Sequence, residues 1–142
     1  MISYFDTSAL IPLLVDEPSS PTCVRLWNDA ESVISTRLLY VEAAAALGQA
    51  LRLKRLTEQN HDSACRILAM LWSDFDIVEA DERIVTRAAQ IAQACALRGY
   101  DAVHCASAER VADNDLVVVS GDRRMLAACS QLGLATANVN HG

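Results

Sequence analysis

Leu116-Val117-Val118-Val119-Ser120-Gly121-Asp122 is an unbroken apolar run closed by a small turn and an acid. Four apolar residues, three of them β-branched, are too few for a helix and are bounded by Asp115 and Ser120. That pattern predicts a strand over Leu116–Val119 buried on both faces, as in a parallel sheet. Parallel strands need crossover connections, usually helical. Outward from the run, helices are expected over Asp101–Ala112 before it and Arg123–Gln131 after it, with Ala135–Val139 as a short edge strand. The rest of the chain alternates in the same way. Strands are expected over Ile2–Phe5, Ser32–Ser35 and Phe75–Val78. Helices are expected over Thr7–Leu14, which Pro12 should make irregular, and over Pro21–Asn28. Further helices are expected over Arg37–Arg55 with Thr36 as cap, from Thr57 to Trp72, and over Asp81–Arg98 stopped by Gly99. Strands alternating with helices define an α/β domain with a mostly parallel sheet.

The 142 residues suit one domain over 1–142, and 52% apolar with 21% charged residues is a globular composition. Eighteen acidic and 12 basic residues give a net charge of −6, which argues against a protein that coats polyanions but leaves room for a local basic rim. The longest apolar runs, Ala9–Val15 and Ala43–Leu47, fall well short of the roughly 18 residues of a membrane span. Met1–Asp6 has no basic segment, so no secretory signal is expected. The five cysteines are odd in number, dispersed and without a CxxC pair, so reduced thiols in a cytoplasmic protein are expected.

Most of the acids fall in turns, caps and polar faces. Four are less ordinary. Asp6 ends the first strand, and Asp122 follows the Leu116–Val119 strand through Ser120-Gly121. Each would also serve as a helix N-cap. Glu42 shares its helix face with Leu38, Leu39, Ala45 and Ala46, all apolar, although a Glu there could also snorkel outward and gain from the helix dipole. Asp101 opens a helix, with His104, Cys105 and Ala108 on its face. With right-handed crossovers, strand ends and helix starts lie at one edge of the sheet, where ligands bind. Four carboxylates in one cleft repel, so either some are protonated or a cation holds them. All-oxygen ligands suit Mg²⁺ or Mn²⁺, and such a set serves metal-assisted phosphodiester hydrolysis.

Phe5-Asp6-Thr7-Ser8-Ala9-Leu10, Glu42 after the second strand, Asp101-Ala102-Val103-His104-Cys105-Ala106-Ser107-Ala108 and Val119-Ser120-Gly121-Asp122-Arg123-Arg124-Met125-Leu126 occur in order. Together they resemble PIN-domain ribonucleases, in particular the VapC-type toxins of toxin–antitoxin pairs, over essentially the whole chain. The resemblance implies a PIN-like three-layer α/β/α domain with a central parallel sheet of four to five strands. It implies an Mg²⁺-dependent endoribonuclease (Mn²⁺ substituting) that leaves 5′-phosphate and 3′-hydroxyl ends. Asp6 and Asp101 would be the principal metal ligands, Glu42 and Asp122 would complete the shell and orient the attacking water, and Ser120 would support them. A homodimer and a cognate antitoxin are implied as well. Arg123-Arg124 after Asp122 bring no further acid for a second metal.

His104, a turn from Asp101, reads better as a packed, hydrogen-bonded histidine than as a ligand; His61 and His141 read as surface residues. Arg37, Arg98, Arg123 and Arg124 flank the acids in sequence and could hold phosphates. Arg52, Lys54 and Arg55 read as cations favouring a helix C-terminus, and Trp27 and Trp72 as core or interface anchors. A receiver-type phosphoacceptor needs a lysine at a late strand end, and the sole lysine is Lys54. A DxD phosphatase needs an acid where Ser8 stands. The remaining alternative is a non-catalytic PIN-like RNA- or protein-binding module.

Overall fold

A computed structural model of the chain describes residues 1–141; the side chain of His141, expected at the surface, and all of Gly142 lie outside what it describes. Five parallel strands form one sheet: β1 (Ile2–Phe5), β2 (Ser32–Thr36), β3 (Phe75–Val78), β4 (Leu116–Ser120) and β5 (Ala135–Asn138). Their order is β3-β2-β1-β4-β5. The chain therefore works outward from β1 to one side and then to the other, which puts a switch point, with its crevice, between β1 and β4. The helices are α1 (Thr7–Leu14), α2 (Ser20–Asp29), α3 (Leu39–Arg52), α4 (Glu58–Trp72), α5 (Glu82–Cys95), α6 (Gly99–Arg110) and α7 (Arg123–Gln131). They form the outer layers of a three-layer α/β/α arrangement.

The alternation of strand side chains builds both cores. Tyr4 and Val118 point into a cluster with Ile84, Ile91, Cys105 and Met125 from α5, α6 and α7. Their neighbours Phe5 and Val119 point the other way, against Leu10, Leu39, Leu47 and Leu68 from α1, α3 and α4. Each such side chain, fully buried, contributes about 1.5–3 kcal/mol. The expected buried strand over Leu116–Val119 is thus covered on both faces. No described helix is long and apolar enough to cross a membrane.

Several boundaries differ from expectation for physical reasons. Thr36 stays in β2, opposite Val78, and the Arg37 N–H bonds the Val78 carbonyl. Thr36 therefore does not cap α3, which starts at Leu39. α3 ends at Arg52, and Lys54 turns left-handed at φ 59°. Gly99 does not stop α5 but opens α6, which closes at Arg110 rather than Ala112. α5 ends at Cys95 because Ala96 adopts the left-handed conformation, φ 53°. A non-glycine residue there costs about 1–2 kcal/mol, offset by bonds from the Ala96 and Leu97 N–H groups to the Ala92 carbonyl.

Candidate active site

Strand register assembles the centre of the site. Phe5 pairs with Val119, so the next residues, Asp6 and Ser120, stand side by side at the carboxyl edge. Ser120 Oγ donates to Asp6 Oδ2 at 2.6 Å. Ser8, in the first turn of α1, donates to Asp6 Oδ1 at 2.7 Å, and the Ala9 N–H donates to the same oxygen at 3.1 Å. Both hydroxyls are held in turn by the β4–α7 turn. The Gly121 N–H donates to Ser8 Oγ at 2.8 Å and the Asp122 N–H to Ser120 Oγ at 2.9 Å. The approach is close at Gly121, where a Cβ would lie 3.2 Å from both Val139 and Asn140 side-chain atoms. Asp6 is buried. Loss of water pushes its carboxyl above the ordinary value, and nearby His104 and the three donors pull back against that.

Asp122 caps α7, its Oδ1 accepting from the Arg124 and Met125 N–H groups at 3.0 and 3.3 Å. Asp101 lies in the first turn of α6 and Glu42 in the first turn of α3. Burial raises the Asp101 carboxyl above its ordinary value, and the Asp122 charge adds to the shift. The partial counterweight is Arg98, whose Nε reaches Asp101 Oδ2 at 3.4 Å. Glu42 Oε1 accepts from His104 Nε2 at 2.8 Å, and His104 Nδ1 lies 2.9 Å from the Tyr4 hydroxyl. His104 is thus the packed, bonded histidine expected, but its partner is one of the four acids.

All four acids line one cavity of about 280 Å³ at the switch point. They do not form a tight cluster: among the described residues no three His, Cys, Asp or Glu side chains lie close enough together to hold a metal ion. The convergence expected from sequence is a shared cavity, not a ready chelate. Glu42 Oε2, Asp101 Oδ1 and Asp122 Oδ2 have no protein donor among the described residues, and Asp6 Oδ2 has one. A set of hard oxygens, open on the cavity side and spread apart, fits a cation such as Mg²⁺ that keeps several of its waters.

Larger openings adjoin the acids. One, of about 810 Å³, shares Glu42, Arg98 and Asp101 and extends to Arg52 and Tyr100. Another, of about 300 Å³, shares Arg98, Asp101 and Asp122 and extends to Arg124. Of the expected flanking arginines, Arg98 and Arg124 line these openings. Arg37 is paired with Glu79 instead, and Arg123 lines none of the three cavities. Arg52, read from sequence as a helix-end cation, faces the larger opening. Sequence reading missed Ser8 and Tyr4. The available signal was spacing, since each lies two residues from Asp6 on opposite sides.

The class is then plain: a parallel α/β domain with an acid-lined crevice at its switch point. A family model of the PIN domain matches residues 3–130. Ribonuclease VapC45 of Mycobacterium tuberculosis is 40% identical over 134 residues, covering 94% of this chain and 93% of that one. The solved structure of FitAcB from Neisseria gonorrhoeae superposes with a TM-score of 0.73 at 20% identity, covering 100% of both chains. A toxin–antitoxin complex from Klebsiella pneumoniae superposes with a TM-score of 0.66 at 17% identity, over 96% of this chain and 97% of that one. The chain belongs to the PIN-domain family, in its VapC branch.

Proposed function

We propose that this protein is a divalent-metal-dependent endoribonuclease, the toxin of a toxin–antitoxin pair. The observation that carries this reading is the sharing of one cavity by Asp6, Glu42, Asp101 and Asp122, most of them with an oxygen left open. A relative named as a ribonuclease at 40% identity supports it. Asp6 and Asp101 would be the principal ligands of Mg²⁺, with Mn²⁺ able to substitute, and Glu42 and Asp122 would complete the shell through water. The bound cation would neutralise the crowded acids and polarise the scissile phosphate.

The chain's own groups do the rest. Ser8 and Ser120 grip both oxygens of Asp6 and stop the carboxylate from turning. Glu42 Oε2 and Asp122 Oδ2 are free to accept the hydrogens of the attacking water and so orient it. Water attacks phosphorus and the bond to O3′ breaks, leaving a 5′-phosphate and a 3′-hydroxyl. The two adjoining openings give an RNA single strand a path on either side of the acids. Arg52 and Arg124 stand along it without acidic partners among the described residues, and Tyr100 offers a face for a base. The protein partners in this reading are a cognate antitoxin, as in the Klebsiella pneumoniae complex, and a second copy of the chain; its place of action is the cytoplasm.

The non-catalytic alternative has one geometric feature on its side, the spread of the acids among the described residues, against which stand their shared cavity and their open oxygens. The test is cleavage of a labelled structured RNA with Mg²⁺ or Mn²⁺ against EDTA, using the natural protein and Asp101→Asn. Metal-dependent cutting lost in the variant is expected. RNA binding indifferent to EDTA, with no cutting and no Mn²⁺ bound, would replace the nuclease with the binding module.

A further inference from the structure

His104 and Tyr4 are buried, titratable and unused by the mechanism above. Their geometry is specific. An ionised Glu42 can only accept, so the hydrogen between it and His104 sits on Nε2. A neutral imidazole then presents Nδ1 as an acceptor, and the Tyr4 hydroxyl 2.9 Å away donates to it. Tyr4 also meets the imidazole edge-on, with ring centroids 5.8 Å apart. His104 is 1% and Tyr4 0% exposed, so neither has water to replace the other.

The arrangement follows from two spacings. Tyr4 and Asp6 are two apart on β1 and its end, hence on one side of the strand. Asp101 and His104 are three apart on α6, hence on one helix face. Strand and helix therefore each deliver one acid to the cavity and one member of the chain that reaches Glu42. We propose that His104, its tautomer fixed by Tyr4, is the positioning residue for Glu42. It holds Oε1 and leaves Oε2 as the oxygen offered to the cavity. A free Glu side chain samples several rotamers, and a rigid buried donor removes that freedom before anything binds.

This proposal rests on the metal-dependent reading of the site, and its test separates the two. The measurement is Mn²⁺ affinity by electron paramagnetic resonance of the free ion, with circular dichroism to check folding and cleavage kinetics alongside. Tyr4→Phe conserves the ring and removes only the hydroxyl. Mn²⁺ affinity is expected to fall about 10-fold, the scale of losing an outer-shell partner, with kcat reduced and KM for RNA unchanged. His104→Phe should lose at least as much. His104→Gln, which keeps an N–H donor toward Glu42, should recover part of the loss. Tyr4→Phe added to His104→Gln should cost nothing more, because no tautomer is left to fix. A purely structural role would shift stability without this pattern. Folded Tyr4→Phe and His104→Phe proteins that bind Mn²⁺ as tightly as the natural chain would overturn the positioning role. A natural chain that binds no Mn²⁺ would overturn the metal reading beneath it.

Discussion

Asp6 is both an acid of the site and a structural knot, and replacing it by Ala or by Asn separates the two roles. Ala removes the cap bond to the Ala9 N–H, a loss of about 1 kcal/mol. It also takes the acceptor from two hydroxyls. Ser8 and Ser120 Oγ lie 3.2 Å apart, so one can turn to the other and one hydrogen stays unpaired, at about 1–3 kcal/mol. Relief of a buried charge whose carboxyl is already raised by burial offsets part of this. The net expectation for Asp6→Ala is a loss of about 2 kcal/mol. Asn caps as well as Asp, and its amide can face Ser120 if that hydroxyl turns toward Ser8. Asp6→Asn loses charged hydrogen bonds but also the repulsion, and should stay within about 1 kcal/mol of the natural protein. Urea unfolding followed by circular dichroism in EDTA reads the difference. At a slope of about 2 kcal/mol/M, the Ala variant should melt roughly 1 M earlier. Neither variant should cleave RNA. Equal midpoints for Ala and Asn, or an Ala variant above the Asn one, would refute the account of Asp6 as the tie between α1 and the β4–α7 turn.

Ala96→Gly should raise stability by about 0.5–1 kcal/mol, since it relieves a left-handed non-glycine residue at the turn that closes α5; thermal unfolding checks it. α5 and α6 are joined by Arg87–Glu109 and Arg110–Asp81, and in each pair the carboxyl is held below its ordinary value: Glu109 chiefly by Arg87, Asp81 by the Ile84 N–H first and then Arg110. A depressed carboxyl contributes stability above its unfolded value that is lost as pH falls through the folded one. The fall in melting temperature below about pH 4.5 should therefore be shallower in Glu109→Gln than in the natural protein, and equal slopes would count against the pairing. Arg52→Gln with Arg124→Gln should raise KM for RNA and make binding less salt-dependent, by about 0.7 in the log–log slope per arginine, with kcat little changed. An unchanged slope would remove both residues from the RNA path.

The sheet and its edge were legible because one-dimensional signals carry them. Val118 and Val119 are buried on opposite faces, and that shows in sequence as an unbroken apolar run. What a helix boundary does was less legible. Gly99 looks like a stop because glycine favours left-handed backbone, yet Ala96 took that conformation and Gly99 became the first residue of the next helix. A propensity is a weak prior when packing already fixes where two helices must part. Ser8 and Tyr4 show in sequence only as a two-residue spacing from Asp6, because their partners are set by register and packing, and Arg52 faces an opening that packing alone creates. Ser8 bonds a turn that begins 113 residues later, and Tyr4 reaches a ring 100 residues away.

The reading of Asp6 and Asp122 from sequence set an ordinary helix cap against a functional acid, and in the structure the two are compatible, since each residue caps a helix and also lines the cavity. Asp6 caps α1 through Oδ1 and Asp122 caps α7 through Oδ1, while each keeps its second oxygen for other partners. A cap bond has a narrow geometry, so it fixes the side-chain rotamer without using the whole carboxylate. The helix start is therefore the part of the chain best able to present an acid rigidly at the edge of a sheet. Glu42 and Asp101, past the cap position in the first turn of their helices, have no cap bond and need other anchors. Arg98 reaches Asp101 weakly from solvent, and the buried His104 holds Glu42 closely. The difference accounts for a histidine committed to Glu42 while Asp6 and Asp122 need only hydroxyls and backbone N–H groups.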